Sequence, residues 1–590
     1  MKQRFLPLAL AALLFSCTTG QRSDTTATPP TTSAAAVATL AAPVPAATPV
    51  LTEKAMVVSA HPEATRIGVA ILQRGGNAYD AAVAVQFALA VALPTAGNIG
   101  GGGFLLYRGA DGTEGALDFR ETAPAAATRD MYLDKQGNVL PDLSTLGHLA
   151  AGVPGTVAGM EAVHKKLGKL LWRDVVQPAV DLAAQGLKLT EKEATGLNNQ
   201  RENFLKYNPA TPPAYVRPDV ATRPWQAGDV IKYPDLANTL GRIRDQGRAG
   251  FYAGKTADLI VAEMRRGKGI ITKQDLANYQ PKWRVPLHGQ YRGYDVQTFP
   301  PPSSGGVALL QMLQMLEFFD LDKAGWHSPQ ATHWITEAER RVYADRATYL
   351  GDPDFGRVPV EQLLDKKYNQ QRMASTLPHR ATPSVQVAAG ASLPGYESDQ
   401  TTHYNIVDAA GNAVSCTTTL NGGYGSKVVV AGAGFLLNNE MDDFSSKPGT
   451  PNAYGLVGGT ANAIAPGKRM LSSMTPAILT KNQKLAMVVG TPGGSTIITS
   501  VMQAILNILD YGMNAQQAVA APRLHHQWLP DYIDVEEKAL LPVAQDSLRA
   551  RGYQLNPRNA WGRIEVIRVL PDGHLEGGAD PRGDDKAAGY

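Results

Sequence analysis

The stretch 77-NAYDAAVAVQFALAVALP-94 constrains the fold more than any other. It opens on an asparagine able to cap a helix, closes on a proline, and is apolar on nearly all sides. Its uninterrupted apolar run after Gln86 is too short to cross a bilayer, so the helix must be buried in a layered core. Folding is expected to start just upstream, near 54-KAMVVSAHPEAT-65. Next, 97-GNIGGGGFLLYR-108 joins a flexible turn to a strand, and an ADGT turn then returns the chain along GALDFR to Arg120. The glycine run is not followed by GK[ST], so close backbone packing explains it better than phosphate binding.

Between about 125 and 390 the pattern is helical and polar-faced, with long loops. On 327-HSPQATHWITEAERRVYADRATYL-350, His333 and Glu337 stand one turn apart, which alone is weak support for a metal. A solvated face carrying Glu337, Arg340 and Arg341 is the expected explanation. From 402 the character changes: THYNIVD, a DAAGN turn and AVSCTTTL read as a hairpin, and KLAMVVG and RIEVIRVL as further strands. Helical stretches over 496–512 and 515–524 lie between them, and the sum is α/β in layers.

The N-terminus reads as an export signal: MKQR is basic and FLPLALAALLF a short apolar core. It runs into Leu14-Phe15-Ser16-Cys17, which resembles a bacterial lipobox with a bulky residue at Phe15. Cleavage before Cys17 would make that residue a lipid anchor outside the cytoplasm, and Thr18 favours an outer membrane over retention at the inner one. Free secretion with an incidental cysteine is the alternative. Residues 18–50 carry Thr, Ala, Pro and Ser with almost no large apolar side chain, and are expected to form a disordered tether. The second cysteine, Cys416, reads as a buried free thiol. A net charge of +3 over 590 residues gives no electrostatic case for nucleic acid.

No HExxH, paired CxxC, GxSxG elbow or Walker loop is present. What stands out is polar density among apolar strands: Thr401, Thr417, Thr418, Thr419 and Asn421 around the hairpin, then LNNEMDDFSS, RMLSSMTP and VVGTPGGSTIITS. Singly, each has a plain reading: Arg120 as a surface ion-pair partner, Glu440 and Asp443 as an acidic turn, Ser472 and Ser473 as a cap, Gly493 and Gly494 as a turn.

Taken in order, these segments resemble the gamma-glutamyltranspeptidases, or glutathione hydrolases. The likeness is carried by DAAVAVQFALAV, GNIGGGGF, LDFRETAP, FPPPSSGG, QTTHY, LLNNEMDDF, PGTPNAYGLVGG, LSSMTP, GTPGGS and DPRGDDKAAGY, spanning about 54 to Tyr590. The resemblance implies an N-terminal nucleophile hydrolase with a four-layer αββα sandwich, requiring no cofactor and no metal. It implies a precursor cut between Gln400 and Thr401 into a large piece, 51–400, and a small one, 401–590, that together form one catalytic domain.

By the same likeness, Thr401 is the nucleophile, Thr419 orients its amine, and Gly493 and Gly494 donate backbone N–H groups to the oxyanion. Arg120, Ser472 and Ser473 are expected to bind the substrate α-carboxylate, and Asn421, Glu440 and Asp443 its α-ammonium. Tyr454 is the expected gate on a lid loop. The implied donors are glutathione and related γ-glutamyl compounds, and the acceptors water, amino acids or dipeptides. From the export signal and the lipobox-like run to Cys17, the expected place is the periplasmic side, as an outer-membrane lipoprotein. Two other readings stay open: an acylase of the same fold taking a glutaryl or cephalosporin substrate, and a surface-anchored binding lipoprotein with no chemistry.

Overall fold

The alternation along residues 401–407 decides how the layers stack. In a strand, successive side chains point to opposite faces. Here Tyr404 turns toward the buried helix to meet Gln86 (Oη to Oε1 3.4 Å), while Asn405 turns the other way and donates from Nδ2 to the carbonyl of Glu565 at 2.8 Å. His403 shares the face of Asn405 and packs on Gly490, where a β-carbon would lie 2.1 Å from the imidazole. One strand thus has helices on one side and a second sheet on the other.

The structure is a computed structural model and describes residues 41–210, 212–217, 223–387, 401–447 and 459–590. The strands used below are β1 (Val50–Thr52), β2 (Met56–Ser59), β3 (Gly102–Arg108), β4 (Glu114–Asp118), β5 (Lys282–Arg284), β6 (Leu287–Tyr291), β7 (Tyr294–Thr298), β8 (Thr401–Val407), β9 (Ala413–Thr419), β10 (Ala477–Lys481), β11 (Lys484–Gly490), β12 (Glu565–Val569), β13 (Leu575–Ala579) and β14 (Lys586–Gly589). The helices are α1 (Pro62–Gln73), α2 (Ala78–Ala92), α3 (Gly305–Leu316), α4 (Pro329–Tyr349) and α5 (Thr496–Leu509).

Two seven-stranded sheets form the centre. One runs β14-β2-β8-β9-β3-β4-β5 and the other β1-β13-β12-β11-β10-β7-β6, with antiparallel pairing throughout. The first sheet's outer face (Val57, Leu105, Leu117, Tyr404, Ile406, Val414) packs with α1, α2 and the helices 156–167, 172–185 and 234–246. Its inner face (Met56, Val58, Phe104, Leu106) shares a core with the second sheet and with α3, α4 and α5 beyond it. This is the αββα sandwich of the expected class. Helix α2 is buried along its whole length and begins with a reciprocal capping box between Asn77 and Asp80, as its all-apolar surface requires. Both sheets draw strands from either side of residue 400.

Two expectations are corrected. The tether was placed over 18–50, but its last ten residues lie on the body. The Ala42 N–H donates to Trp326 C=O at 3.0 Å, Asn514 Nδ2 donates to Ala47 C=O at 3.0 Å, and β1 pairs with β13. Backbone hydrogen bonds need no large side chain, so composition could not show them. The solvated face expected on α4 is buried: His333, Glu337, Arg340 and Arg341 are all at most 1% exposed. Arg341 Nη1 binds Glu337 at 2.6 Å, Tyr553 Oη meets both His333 Nδ1 (2.6 Å) and Glu337 Oε1 (2.9 Å), and Arg340 pairs with Asp531. Partners from distant segments replace water there, and no helical period can reveal them. Among the described residues no group of His, Cys, Asp and Glu is arranged to hold a metal, and no helix is long and apolar enough to cross a membrane. Cys17 and the export signal lie outside the described residues. Cys416 is free and buried, and burial pushes its thiol up to about 12.

Candidate active site

Thr401 opens β8 and is the register partner of Thr419 at the end of β9. Their Oγ1 atoms are 3.4 Å apart, and Thr419 Oγ1 also accepts the Asn421 N–H at 2.7 Å. Thr402, one residue on, turns the opposite way, and its hydroxyl is buried without a hydrogen-bond partner among the described residues. The pleat therefore separates two threonines that the sequence places side by side. Only Thr401 reaches the pocket, a narrow cavity of about 40 Å3.

That pocket brings together nearly the whole expected set: Arg120, Thr401, Thr419, Asn421, Glu440, Asp443, Ser472, Ser473 and Gly494 all line it. Gly493 sits one residue behind Gly494, whereas Gln400 and Tyr454 lie outside the described residues. The arrangement joins segments some 370 residues apart in sequence, because the end of β4, the β9 turn, the 437–446 loop and the turn after β11 all emerge at the same edge of the sandwich.

The charges form one network. Arg120 is 1% exposed; its Nη1 lies 2.6 Å from Glu440 Oε2, and its Nη2 pairs with Asp443 and donates to Leu471 C=O at 3.3 Å. Its backbone is fixed by Asp118 and by the Tyr279 hydroxyl. Burial alone would lower the guanidinium, but Glu440, Asp443 and Glu121 together hold it charged. Burial raises all three carboxyls, with Arg120 pulling them back down. Glu121 is the farthest from the guanidinium, at 3.8 Å, neither of its oxygens has a hydrogen-bond partner among the described residues, and it is pushed up to about 8.

A second guanidinium was not anticipated. Arg346 on α4 lines the pocket and donates from Nη2 to Ser473 Oγ at 2.9 Å and from Nε to Ser304 Oγ at 2.8 Å. A hydroxyl that accepts from a cation turns its own proton elsewhere. Ser472 Oγ likewise accepts the Met474 N–H at 3.1 Å. Both serines are thereby set to donate into the pocket, as a carboxylate requires. Ser304 holds their segment by donating to Ser472 C=O from both N and Oγ at 2.7 Å. Asn462 ties the Asp443 carbonyl (2.7 Å) to the Leu471 amide (3.0 Å). Nothing in the pattern of α4 separates an arginine facing water from one facing Ser473.

After β11, Gly493 adopts φ 135° and Gly494 φ 58°, conformations that disfavour any side chain. Their carbonyls turn into α5, accepting from Thr496 and Ile497, while among the described residues their N–H groups have no acceptor. Tyr343, three residues before Arg346 on α4, donates its hydroxyl to Ser495 C=O and pins this turn. The result is the Gly494 backbone, with Gly493 one residue behind it, and the Thr401 hydroxyl at one pocket that also holds opposite charges.

Comparison with known proteins gives a consistent picture. The gamma-glutamyltranspeptidase family pattern matches residues 64–590. The glutathione hydrolase proenzyme of Escherichia coli (strain K12) is 47% identical over 543 residues, covering 92% of this chain and 93% of that protein. Among solved structures, the cephalosporin acylase of Bacillus halodurans superposes with a TM-score of 0.80 at 29% identity, over 93% of this chain and 98% of that one. A chain of the Helicobacter pylori gamma-glutamyltranspeptidase, 46% identical, superposes with a TM-score of 0.55 over 59% of this chain and 97% of its own length.

Proposed function

The chain belongs to the gamma-glutamyltranspeptidase family, and from that premise we propose that it is an autoprocessing γ-glutamyl hydrolase and transferase with Thr401 as nucleophile. The observation that carries the reading is the single pocket in which Thr401, Gly494 and the Arg120, Glu440 and Asp443 network meet.

In the uncut chain the Thr401 amine is an amide and cannot act as a base. Its Oγ attacks the Gln400 carbonyl, the nitrogen leaves as the new amine, and water hydrolyses the resulting ester. Gln400 becomes a carboxylate and Thr401 an N-terminus. The large piece, 51–400, and the small one, 401–590, remain one catalytic body because their strands interleave in both sheets. The α-amine titrates near pKa ~8 and takes the Oγ proton, with Thr419 as its orienting partner.

The donor's zwitterionic end enters the charged end of the pocket. Arg120, Ser472 and Ser473 take its carboxylate, while Asn421, Glu440 and Asp443 take its ammonium, which leaves the γ-carbonyl at Thr401. As Thr401 Oγ adds to that carbonyl, the N–H groups of Gly493 and Gly494 receive the negative oxygen. Collapse expels the amine product, protonated by the Thr401 ammonium, and leaves an acyl-threonine ester. Water then yields glutamate, or the amine of an amino acid or dipeptide takes the acyl group. For glutathione the first product is cysteinylglycine. Tyr454 is the gate over this site, and Cys17 anchors the chain by lipid to the outer membrane, on its periplasmic side.

A second reading, an acylase for glutaryl or cephalosporin side chains, is favoured by the likeness to the Bacillus halodurans acylase. Comparing hydrolysis of γ-glutamyl-p-nitroanilide with glutaryl-p-nitroanilide decides between them. A preference for the γ-glutamyl compound is expected, because Asn421, Glu440 and Asp443 around the pocket can meet an α-ammonium that the glutaryl compound lacks; equal or faster turnover of the glutaryl compound overturns the reading.

A further inference from the structure

The loop after β9 holds Asn421 in an unfavourable backbone. Asn421 has φ 72°, Tyr424 φ 62°, Gly425 φ 52° and Lys427 φ 67°, so three side-chain-bearing residues within seven occupy the left-handed region. Such a loop relaxes unless its surroundings fix it. Part of the fixing comes from Asn439, whose Oδ1 accepts the Gly422 N–H at 2.8 Å and whose carbonyl accepts from Asn421 Nδ2 at 3.1 Å. The Asn421 N–H donates to Thr419 Oγ1 at 2.7 Å, the Tyr424 N–H to Thr95 C=O at 2.8 Å and the Ser426 N–H to Leu437 C=O at 2.9 Å, and the loop's own last residue ties its middle: Lys427 Nζ donates back to the carbonyls of Gly423 and, at 3.0 Å, of Gly425.

Lys427 is an unusual place for a charge. It is 92% buried, and among the described residues no carboxylate lies within ion-pair distance of its ammonium. The charged and titratable groups around the same cavity are Lys192 and Glu193, Tyr233, Tyr424, and Arg563, Arg582 and Asp584. Glu193 is engaged by the Thr190 amide at 2.7 Å and by His61 Nε2 at 3.2 Å, and Lys192 donates to the carbonyls of Arg582 and Gly583. Burial without a counter-charge is costly, and a methionine would fill much of the same volume. The ammonium's two carbonyl bonds are its evident return.

We propose that Lys427 is a positioning residue: its ammonium ties Gly423 to Gly425 and thereby fixes Asn421, through which it sets the affinity for the donor's ammonium end. This rests on the reading of Asn421 as a contact of that ammonium. Burial pushes Lys427 down to about 8, so the tie loses its charge assistance just above neutral pH. The neutral amine keeps two N–H groups, and binding weakens without vanishing.

The test uses the processed enzyme, with the inhibition constant of L-glutamate as the binding readout and kcat for γ-glutamyl-p-nitroanilide as the chemical one. Lys427→Met is expected to raise the glutamate constant about tenfold, the scale of one charge-assisted hydrogen bond, with kcat changed less than about twofold. Asn421→Ala is expected to raise it similarly, and the double variant no further. If Asn421→Ala leaves the constant unchanged, the reading of Asn421 falls. If Asn421→Ala raises it and Lys427→Met does not, or Lys427→Met acts on kcat alone, the proposal is overturned while that reading stands. Should Lys427→Met fail to fold, the wild-type pH profile decides: a rise in the glutamate constant above pH ~8 that is absent from Asn421→Ala supports the tie, and superimposable profiles overturn it.

Discussion

Thr401 and Thr419 face each other across the β8–β9 ladder with their hydroxyl oxygens 3.4 Å apart, while Thr402 points into the helical layer. The pleat thus leaves one threonine able to act on the pocket. Thr401→Ala is expected to give a single uncut chain on a denaturing gel and no γ-glutamyl hydrolysis; Thr402→Ala is expected to give two pieces, the smaller now beginning Thr-Ala-His-Tyr on N-terminal sequencing. An uncut wild type with full activity would sink the assignment.

The turn at Gly493 makes a sharper demand. At φ 135° an L side chain is strained wherever it points, and the β-carbon of alanine would lie 2.7 Å from Thr496 Oγ1. Relief of that clash rotates the amide away from the reacting carbonyl. Gly493→Ala is expected to cut kcat by about 10²–10³, the scale of losing one oxyanion donor, and to slow self-cleavage as well. The glutamate inhibition constant should barely move, since the charged end of the pocket is untouched.

Arg346 supplies the next prediction. Its guanidinium orients Ser473 by donating to the hydroxyl oxygen. Arg346→Met removes that donor and leaves Ser473 free to turn its proton elsewhere. Binding of L-glutamate is expected to weaken about tenfold to a hundredfold, on the scale of charge-assisted bonds, with two-piece processing preserved. The check is the inhibition constant of L-glutamate beside a gel of the purified variant.

How much of this was legible in the sequence divides along physical lines. The buried helix, the two hairpins at 102–118 and 401–419 and the layered class follow from periodicity, which is local. The pocket residues were legible because their motifs survive as short contiguous strings such as LSSMTP and GTPGGS, and the likeness to a family supplied their roles. Arg346, Glu121 and the docking of residues 41–52 were not. Arg346 answers to Ser473, 127 residues on, Glu121 is set by burial and by the Asp443 side of the network, and the docking rests on backbone hydrogen bonds; none of these leaves a trace in local spacing. The face of α4 shows the failure most clearly: Glu337 and Arg341 read as solvated because charge at helical spacing usually is, and they are buried because Tyr553 and Thr382 come to meet them.

Six histidines give the fold an acid limit. His148, His327, His333, His525 and His526 are lowered to about 4 and His403 to about 3, in each case chiefly by burial. In the unfolded chain they titrate near ~6.5. Between those values the unfolded state binds protons that the folded state refuses, so stability falls as pH drops from about 6.5 toward about 4. Each histidine contributes a slope of up to about 1.4 kcal/mol per pH unit in that window. His333 is the most informative of the set, since Tyr553 donates its one hydroxyl proton to Glu337 and its oxygen is left to accept from His333 Nδ1–H. Glu337 works in the same direction at lower pH: its carboxyl is held below the usual range by Arg340 and Arg341 against the opposing effect of burial, so its contribution is present above the ordinary glutamate pKa and lost as pH falls through the lowered one. Urea midpoints of the processed enzyme are expected to fall steeply between pH 7 and pH 5, and His333→Asn to flatten that dependence; a midpoint independent of pH over this range would show that the histidines are not held neutral.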